Sequence, residues 1–458
     1  MREGRPAEAR GAALFGGSQG SHLAKAPFEE GVARLLAGTK PFGPDWLAGL
    51  RAEGAAAVRA SGLPTLRHED WRFTSLSPLA ALSFGTEVLS SSLPAESLPQ
   101  LGGPRLVFAA NRLRPDLSSL CPLPAGAVVT SLAEALSRSP EKVRPHLGRL
   151  ARPEGLFFTG LNTALFEDGA FVYLPPGAVL DAPITLVFEG GGGAAPALHH
   201  PRVLVVAGEG ARASVVEIFL GGGDDVYLTD AVTELVLEDG AEIDHVKLQG
   251  EGDRAFHLSS VFAEQGAGTR LGAHVQALGA QLSRAELRVR LGGEGGSLEA
   301  TGLYLADGNR VTDAFTVVDH VVPRCATSES YKGILDGRAH GVFAGRIRVM
   351  KDAQKTDARQ MNSNLLLSDE AVVDTRPQLE ILADDVKCGH GGTVGQLDED
   401  ALFYLRSRGL LEADAKRLLI WAFANGAVLH IRPKAVRERA RAELAGRLGA
   451  APALLEAA

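Results

Sequence analysis

Short strand-like runs separated by glycine-bearing turns recur along this chain from about residue 155 to residue 386. A repeat of about 20 to 50 residues is typical of a solenoid, and strand-like runs without helices between them favour a β-helix. Each coil of such a fold buries its inward face only by stacking on neighbouring coils. The repeat therefore predicts a mainly β protein built around a parallel β-helix. The turn glycines fall roughly 26 to 30 residues apart within two series, Gly210, Gly240, Gly266 and Gly296, and then Gly308 and Gly337.

A β-sandwich built from hairpins is the alternative, since glycine-rich turns also join antiparallel strands. The strand–turn rhythm runs through the whole region without a break that would separate two domains. This continuity favours the solenoid over the sandwich.

Helical patterns flank this central region on both sides. Apolar residues recur at three- and four-residue steps in parts of residues 27–154 and 391–458, which predicts a mostly helical N-terminal domain and a helical C-terminal domain. The β-helix core then spans residues 155–390. Residues 1–26 are rich in Gly, Ser and Ala and are predicted to be disordered. Helical segments at the two ends would also cover the open strand edges of the outermost coils.

The composition excludes several classes of protein. The formal net charge of −8 argues against a general binder of nucleic acid or of anionic membrane surfaces. Three cysteines cannot form a disulfide framework, which favours a reducing compartment. No apolar run approaches the roughly 20 residues that span a bilayer, and the N-terminal residues lack the apolar region of a signal peptide. We therefore expect a cytoplasmic protein without a membrane partner.

Cys388 and His390 lie two residues apart, where strand-like residues give way to a helical pattern. On an extended strand, residues i and i+2 point to the same face, so the thiol and the imidazole are predicted to project side by side. These are soft and borderline donors, suited to iron–sulfur species, zinc or copper. Two donors are half of a tetrahedral set, so the other ligands of such a site would come from elsewhere in the fold or from another chain.

The other cysteines and histidines have weaker claims to a function. Cys325 follows His320 by five residues, but Pro323 interrupts regular strand spacing between them, which favours a buried turn thiol. Cys121 has no neighbouring donor in the sequence and is interpreted as structural. The histidines of the solenoid repeats are predicted to be surface or turn residues: His245, His257, His274 and His340.

Three segments resemble the SufB/SufD family of iron–sulfur cluster assembly proteins. They are residues 353–409, which include QMNSNLLLSDEAVVDTRPQLEILADDVKCGHGG, residues 331–347, YKGILDGRAHGVFAGRI, and residues 67–79, RHEDWRFTSLSPL. The resemblance covers most of the chain from about residue 30 and is closer to D-type than to B-type members. B-type members typically show a cysteine near the position of Asn362, and a sequence like HEAT where this chain has two glycines after its histidine.

The resemblance implies a right-handed parallel β-helix flanked by helical segments, and a non-catalytic scaffold. A D-type member pairs with a SufB-like paralogue, and each of the two contacts a copy of a SufC-like ABC ATPase. The complex builds nascent iron–sulfur clusters and passes them to apoproteins. Residues matching Cys388 and His390 lie at the interface with the paralogue, where the histidine helps to hold or form the cluster.

Further expectations about cofactors and partners follow from the same resemblance. The cluster is expected to be transient and shared with the partner subunit. Flavin on the assembled complex is a further candidate cofactor, and a homodimer is a candidate state of the isolated chain. The sequence has no glycine-rich phosphate loop of the Walker type, so ATP hydrolysis is expected on the partner ATPase only.

Aromatic and arginine side chains near both ends of the chain are candidates for partner binding, because Trp, Tyr and Arg are enriched in interface hot spots. Trp71 is one candidate, with intramolecular packing against the solenoid as its equal alternative. The C-terminal helical region is expected, by resemblance, to dock the ATPase. The candidate residues there are Phe403, Tyr404, Arg406 and Arg408.

A carbohydrate-active enzyme is the alternative function, because parallel β-helices commonly host lyases and hydrolases. Such an enzyme needs paired carboxyl groups in a groove, and Asp307, Asp313 and Asp319 are the candidates. Aromatic residues are only 6% of the chain, which is low for stacking against sugars. The sequence therefore favours the scaffold.

Overall fold

The computed structural model describes residues 26–85, 98–193 and 195–449 of the 458-residue chain. The predicted disordered segment, residues 1–26, lies outside the described residues except for its last residue. Helices lie mainly towards the two ends of the described chain, and strands fill the region between them.

The helices of the described residues are α1 (Pro27–Ala37), α2 (Asp45–Ser61), the 3₁₀ helix η1 (Glu69–Trp71), α3 (Ser77–Ala80), α4 (Leu132–Arg138), α5 (Pro140–Val143), α6 (Phe157–Leu165), α7 (Glu399–Ser407), α8 (Glu412–Val428) and α9 (Lys434–Leu448).

The strands of the same residues are β1 (Arg105–Ala109), β2 (Arg112–Leu113), β3 (Val128–Ser131), β4 (Gly169–Leu174), β5 (Ile184–Glu189), β6 (Ala197–His199), β7 (Arg202–Ala207), β8 (Arg212–Leu220), β9 (Tyr227–Leu237), β10 (Glu242–Gly250), β11 (Phe256–Gln265), β12 (Arg270–Ala277), β13 (Leu282–Leu291), β14 (Ser297–Ala306), β15 (Val311–His320), β16 (Ala326–Leu335), β17 (His340–Val349), β18 (Asp357–Leu366), β19 (Val372–Ile381) and β20 (Lys387–Gly395).

These strands form two long sheets. Sheet A has the order β2-β1-β5-β8-β10-β12-β14-β16-β18-β20, and sheet B has the order β19-β17-β15-β13-β11-β9-β7-β4-β3, with β6 beside β9. From β8 onward successive strands alternate between the sheets, so each turn of the chain adds one strand to each sheet. The described residues form a parallel β-solenoid of about eight turns. The predicted parallel β-helix with helical flanks is confirmed, and the hairpin sandwich is excluded.

Antiparallel pairing occurs at the start of the solenoid. The two-residue strand β2 pairs with β1, and the four-residue strand β3 pairs with β4. Both strands lie at the first edge of their sheet among the described residues. At the start of the solenoid, the outermost strand of each sheet is therefore very short.

Glycine turns stack from one coil to the next. Gly308 and Gly337 both have φ of 62°, in the left-handed region that favours glycine. A Cβ at Gly337 would lie 3.0 Å from the backbone nitrogen of Gly308. In two of the predicted turns the left-handed residue is another glycine close by: Gly268 instead of Gly266, and Gly295 instead of Gly296. The repeat thus reflects coils that close in register.

The space between the sheets holds an apolar core with polar residues embedded in it. Val215, Leu271 and Val318 are fully buried in this core. Glu217 is equally buried, and its carboxylate accepts a hydrogen bond from His245 at 2.6 Å. Burial raises the pKa of Glu217, but the stronger effect of Lys247 and His245 lowers it to about 2.

The prediction that the solenoid histidines lie on the surface is wrong for three of them. His245, His257 and His274 are 2%, 2% and 3% exposed. The imidazole of His257 lies 2.7 Å from the carboxylate of Glu251, which is also buried. A buried acid partner therefore offsets part of the cost of burying this polar ring.

Helices cover the outer faces of both sheets. On sheet A, Trp421 of α8 and Leu444 of α9 pack in one apolar cluster with Leu248. On sheet B, Phe28 of α1 packs in another cluster with Phe256. The expectation that helical segments cover the edges of the outermost coils is wrong for the last coil, because no residue of β19 or β20 is buried.

Candidate functional site

The last coil of the solenoid forms an open end. Within the described chain, β19 pairs only with β17, and β20 pairs only with β18. The free edge of each strand presents unpaired N–H and C=O groups, which are a template for another strand. Apolar side chains at this end are exposed, namely Met361 at 46%, Val372 at 52%, Ile381 at 40% and Val394 at 50%.

Cys388 and His390 both lie in β20, at the open end. In the register of sheet A, Cys388 pairs with Ala358 of β18, and His390 pairs with Gln360. Cys388 is half-buried and packs against the core between the sheets. Alternation along the strand turns His390 towards the same side, where it is exposed because no further coil follows.

The thiol of Cys388 is not activated within this chain. Burial raises its pKa, and the nearby Asp357 carboxylate acts in the same direction against a backbone hydrogen bond at Ala358. The thiolate is the form that ligates metals. Binding of iron or another metal at this sulfur would therefore have to displace the proton.

A column of polar side chains lies behind His390. Gln360 and Glu329 occupy the same register position on β18 and β16, and the amide of Gln360 donates a hydrogen bond to the Glu329 carboxylate. Both are at most 2% exposed, and burial raises the pKa of Glu329 to about 7. A carboxyl group that exchanges its proton near neutral pH therefore lies two strands behind the open end.

Sequence reasoning missed Glu329, although a signal for it was present. In the segment TSESYK the buried residues alternate, since Thr327, Glu329 and Tyr331 are all nearly inaccessible. Because side chains alternate between the two faces of a strand, Glu329, two residues before Tyr331, is predicted to lie on the same inward face. A buried acid in a strand is uncommon unless it is paired.

Asn362 occupies the position near which B-type members show a cysteine. It is fully buried, and its amide donates to the Tyr304 hydroxyl at 3.1 Å. Its side-chain oxygen accepts from Asn364 at 2.6 Å, and Asn364 in turn accepts from Tyr304 at 2.6 Å. The three side chains form a closed hydrogen-bond network. The position is thus committed to structure in this chain.

The second cysteine–histidine pair is not a ligand set. Burial raises the pKa of Cys325, whose thiol donates to the Gly293 carbonyl at 3.4 Å. Burial lowers the pKa of His320 to about 4, and this ring bonds to the Thr327 hydroxyl at 2.9 Å. Among residues 26–85, 98–193 and 195–449, no group of three or more His, Cys, Asp or Glu side chains is placed to hold a metal ion.

Helix α7 presents aromatic side chains to solvent. Phe403 and Tyr404 are 71% and 56% exposed, and none of the residues of α7 is buried. Arg408 lies over the Tyr404 ring at 5.1 Å, and Arg406 lies 3.5 Å from Glu412 of α8. A groove of about 530 Å³ separates α7 from the turn at residues 366–369.

Trp71 is remote from α7, on the outer face of sheet B. Its ring lies 5.5 Å from that of Phe158, and the Arg284 guanidinium lies over it at 4.1 Å. The structure therefore brings together Cys388 with His390 on β20, and it places three of the C-terminal candidates on α7 with the fourth, Arg408, directly after it. It separates Trp71 from both groups.

The carboxylates proposed for a carbohydrate-active enzyme are each paired with arginine. Asp319 accepts two hydrogen bonds from Arg348, both of 2.6 Å. Asp313 is buried and paired with Arg284, while Asp307 pairs with Arg310. A glycosidase needs two carboxyl groups facing one glycosidic bond. These ion pairs favour a structural function for all three.

Comparison with known families agrees with this geometry. Residues 189–423 match the SufBD core domain of the SUF system for FeS cluster assembly, and residues 42–186 match the SufBD protein N-terminal region. Together the two models span most of the chain.

The chain belongs to the SufBD family. It is 35% identical over 388 residues to an iron–sulfur cluster assembly SufBD family protein of Synechocystis, covering 82% of this chain and 85% of the relative. It is 31% identical over 399 residues to the iron–sulfur cluster assembly protein SufD of Escherichia coli, covering 85% and 90%. A SufBD family protein of Mycobacterium tuberculosis is 35% identical over 287 residues, covering 61% and 71%. The resemblance seen in the sequence is confirmed.

Membership of the SufBD family places this chain in iron–sulfur cluster assembly. The family assignment is consistent with a non-catalytic scaffold. None of the helices in the described part of the chain is long and apolar enough to cross a membrane.

Proposed function

We propose that this SufBD-family protein is a non-catalytic scaffold subunit of a cytoplasmic iron–sulfur cluster assembly complex. The observation that carries the proposal is the open end of the solenoid. There, two unpaired edge strands and a group of exposed apolar side chains surround Cys388 and His390.

The open end fits a second solenoid of the same family, a SufB-like paralogue. Free edges of two sheets pair most readily with edges of similar length and spacing, which another solenoid offers. Val372 and Val394, on β19 and β20, would be buried by such pairing. The same surface supports a homodimer when the chain is alone.

Cys388 and His390 supply one part of a composite site at that interface. A thiolate and an imidazole suit the iron of an iron–sulfur cluster, and two donors leave room for two more from the paralogue. The cluster is the cargo of the complex, held transiently and shared between subunits. His390 has the stronger claim because it is exposed, whereas Cys388 is half-buried with a raised pKa.

The groove beside α7 is the proposed docking surface for a SufC-like ABC ATPase. Exposed aromatic rings beside arginines are typical of interface hot spots, and Phe403 and Arg406 line this groove. ATP hydrolysis would then take place on the ATPase. Trp71 stays a candidate contact for a partner on the opposite sheet, and flavin stays a candidate cofactor of the assembled complex.

Co-purification of the tagged full-length chain with co-expressed paralogue and ATPase tests this function. In the double variant Val372→Lys/Val394→Lys, affinity for the paralogue should fall by about 30-fold, which corresponds to the roughly 2 kcal/mol that a hot spot contributes. The reason is that charges on edge strands block the addition of a further strand. Val179→Lys is the matched control, since Val179 is 51% exposed but lies on an early coil. Wild-type recovery of the paralogue by the double variant would overturn the proposed interface.

A further inference from the structure

One column of side chains runs along sheet A towards the open end, on the face that lies between the two sheets. In the register of the strands it comprises Val215, His245, Ala273, Ala300, Glu329, Gln360 and His390. Ala273 and Ala300 belong to the apolar core. The three positions that follow carry an acid, an amide and an imidazole. The column therefore becomes polar over the last three strands, at the end where the cluster site is proposed.

The fold makes room for the amide of Gln360. This residue is 1% exposed, and Gly345 of β17 lies beside it in the facing sheet. A Cβ at Gly345 would collide with Nε2 of Gln360. Gly345 is not one of the glycines with a positive φ, so the close approach of the amide is what favours glycine there. The packing is therefore built around the Gln360 side chain.

The carboxyl group of Glu329 determines which way the Gln360 amide faces. Nε2 of Gln360 donates to that carboxyl group, so the oxygen of the amide lies on its other branch. Within residues 26–85, 98–193 and 195–449, this buried Oε1 has no hydrogen-bond partner. Buried acceptors are nearly always paired. A donor that reaches Oε1 of Gln360 would therefore complete the column.

His390 is the residue placed to supply that donor. It holds the register position directly beyond Gln360, and neighbouring strands lie about 4.8 Å apart. Side chains at paired positions stand on the same face of a sheet, so the imidazole and the amide can come within hydrogen-bond distance. His390 is exposed, which leaves its ring free to turn towards the amide.

We propose that Gln360 is a positioning residue for His390: its Oε1 accepts the N–H of one ring nitrogen, so that the other nitrogen presents its lone pair to iron. This inference rests on the proposed composite site. Histidines that bind metals almost always donate their second N–H to a carboxylate, a carbonyl or water. Glu329 acts one step further back, because it holds the NH₂ group of the amide away from the imidazole. A reversed amide would donate to the imidazole and compete with iron for the lone pair.

Solid-state ¹⁵N NMR of the metal-free complex tests this inference. Only this chain is labelled, at histidine, and it is bound to the unlabelled paralogue. The signals of His390 are identified by their loss in His390→Ala. One tautomer of His390 should predominate in the wild type. In Gln360→Met, which keeps the side-chain length but has no amide oxygen, the minor tautomer should become about 5-fold more populated, as expected for loss of one hydrogen bond.

Reconstitution of the cluster gives a second measurement. Gln360→Met should hold about 10-fold less iron and sulfide than the wild type, the lower end of the effect of removing a partner of a metal-binding histidine. Its affinity for the paralogue should be unchanged. Gln360→Glu should restore both the tautomer ratio and the iron content, because two adjoining carboxyl groups share one proton and still leave an oxygen for His390.

Gln276→Met is the matched control. Gln276 is 2% exposed, its Nε2 donates to the carbonyl of Ala440 at 3.1 Å, and its Oε1 is likewise buried without a partner in the described part of the chain. It lies on β12, which β14, β16 and β18 separate from β20. This variant should lose as much thermal stability as Gln360→Met, yet keep the wild-type tautomer ratio and iron content.

An even mixture of His390 tautomers in the wild type would overturn the inference, and this result needs no variant, so the test stands even if Gln360→Met does not fold. A wild-type tautomer ratio with wild-type iron content in folded Gln360→Met would overturn it as well. Failure of the paralogue to bind, or normal iron content in His390→Ala, would instead refute the proposed function, and this inference with it.

Discussion

At the scale of single residues, the half-buried thiol of Cys388 and the exposed imidazole of His390 lie on the same strand, β20, at the open end. Cys388 packs against the core, whereas His390 is free to meet a ligand or a partner. Loss of an exposed side chain costs little stability. The proposed function of His390 can therefore be tested separately from its contribution to stability.

His390→Ala should lower the iron and sulfide content of the reconstituted complex by about 10- to 100-fold, as expected for loss of a ligand or its oriented neighbour. Its thermal midpoint and its binding of the paralogue should stay near those of the wild type. Cys388→Ser should show a similar or milder loss, and Cys121→Ser, at an exposed position remote from β20, should be silent. Normal cluster content in His390→Ala would contradict the composite site, and a collapsed midpoint would make the residue structural.

Glu329 should make the stability of the chain depend on pH. Its pKa is raised from 4.5 to about 7 in the folded state, so its stabilising contribution is complete below pH 4.5 and is lost as pH rises through 7. Glu329→Gln should therefore gain up to about 3 kcal/mol over the wild type between pH 5 and pH 8, from the size of the shift.

Urea unfolding at pH 5 and pH 8 measures this difference. Glu380→Gln, an exposed acid on β19, is the control and should follow the wild type at both pH values. A constant gap between Glu329→Gln and the wild type across this range would show that the carboxyl group does not titrate there.

The sequence predicted part of this residue-level arrangement. That Cys388 and His390 share one face of β20 follows from the alternation of side chains along a strand, which depends only on neighbours in sequence. The burial of His245 was not predictable in the same way, because its partner Glu217 lies on the previous strand of sheet A, 28 residues away. Pairing across coils depends on register, which composition alone does not reveal.

At the scale of elements, α7 differs from α8 and α9 in having no buried residue. A helix that gains little from packing on its own chain is available to a partner. Its N-cap, Asp398, accepts hydrogen bonds from the amides of Asp400 and Ala401 at 2.9 and 3.0 Å. The helix is thus held at its start while its aromatic side chains stay exposed.

Phe403→Ala should weaken binding of the ATPase by about 10- to 30-fold, the effect expected of a hot-spot aromatic. Surface plasmon resonance with the purified ATPase measures it. Leu411→Ala is the control, because Leu411 is 73% exposed but does not line the groove. Equal affinities for the two variants would mean that the docking surface lies elsewhere.

The types of secondary-structure element could be predicted from the sequence, whereas their positions relative to one another could not. Turn glycines such as Gly240 and Gly337 marked the coils, because a left-handed φ is a local requirement. The apolar periodicity within residues 391–458 predicted helices that need a partner surface. It did not predict that this surface is the outer face of sheet A, since many apolar surfaces would pack against such helices.

At the scale of the whole molecule, the solenoid and its helices form one packed unit. Trp421 of α8 is 1% exposed and shares a cluster with Leu303 and Ile334 of sheet A. Removing the helices would uncover this apolar face. The C-terminal helices therefore stabilise the solenoid as well as following it in sequence.

Trp421→Ala should lower the free energy of unfolding by about 3 to 5 kcal/mol, as for other large buried aromatic residues. Urea denaturation of the full chain measures this loss. Phe403→Ala, which removes a ring that is 71% exposed, should leave the midpoint unchanged. A loss below about 1 kcal/mol for Trp421→Ala would mean that the helices pack only loosely on sheet A.

The contrast between the two ends of the solenoid limits how copies can join. The first coil finishes in β2 and β3, which are too short to extend a sheet, whereas the last coil finishes in two strands of nine and ten residues. A solenoid that can pair with another copy at one end only forms a closed pair, whereas a solenoid that can pair at both ends would grow into a fibre. Among the described residues, the fold therefore offers long strand edges for pairing at one end of the solenoid rather than at both, which favours a closed pair over a fibre.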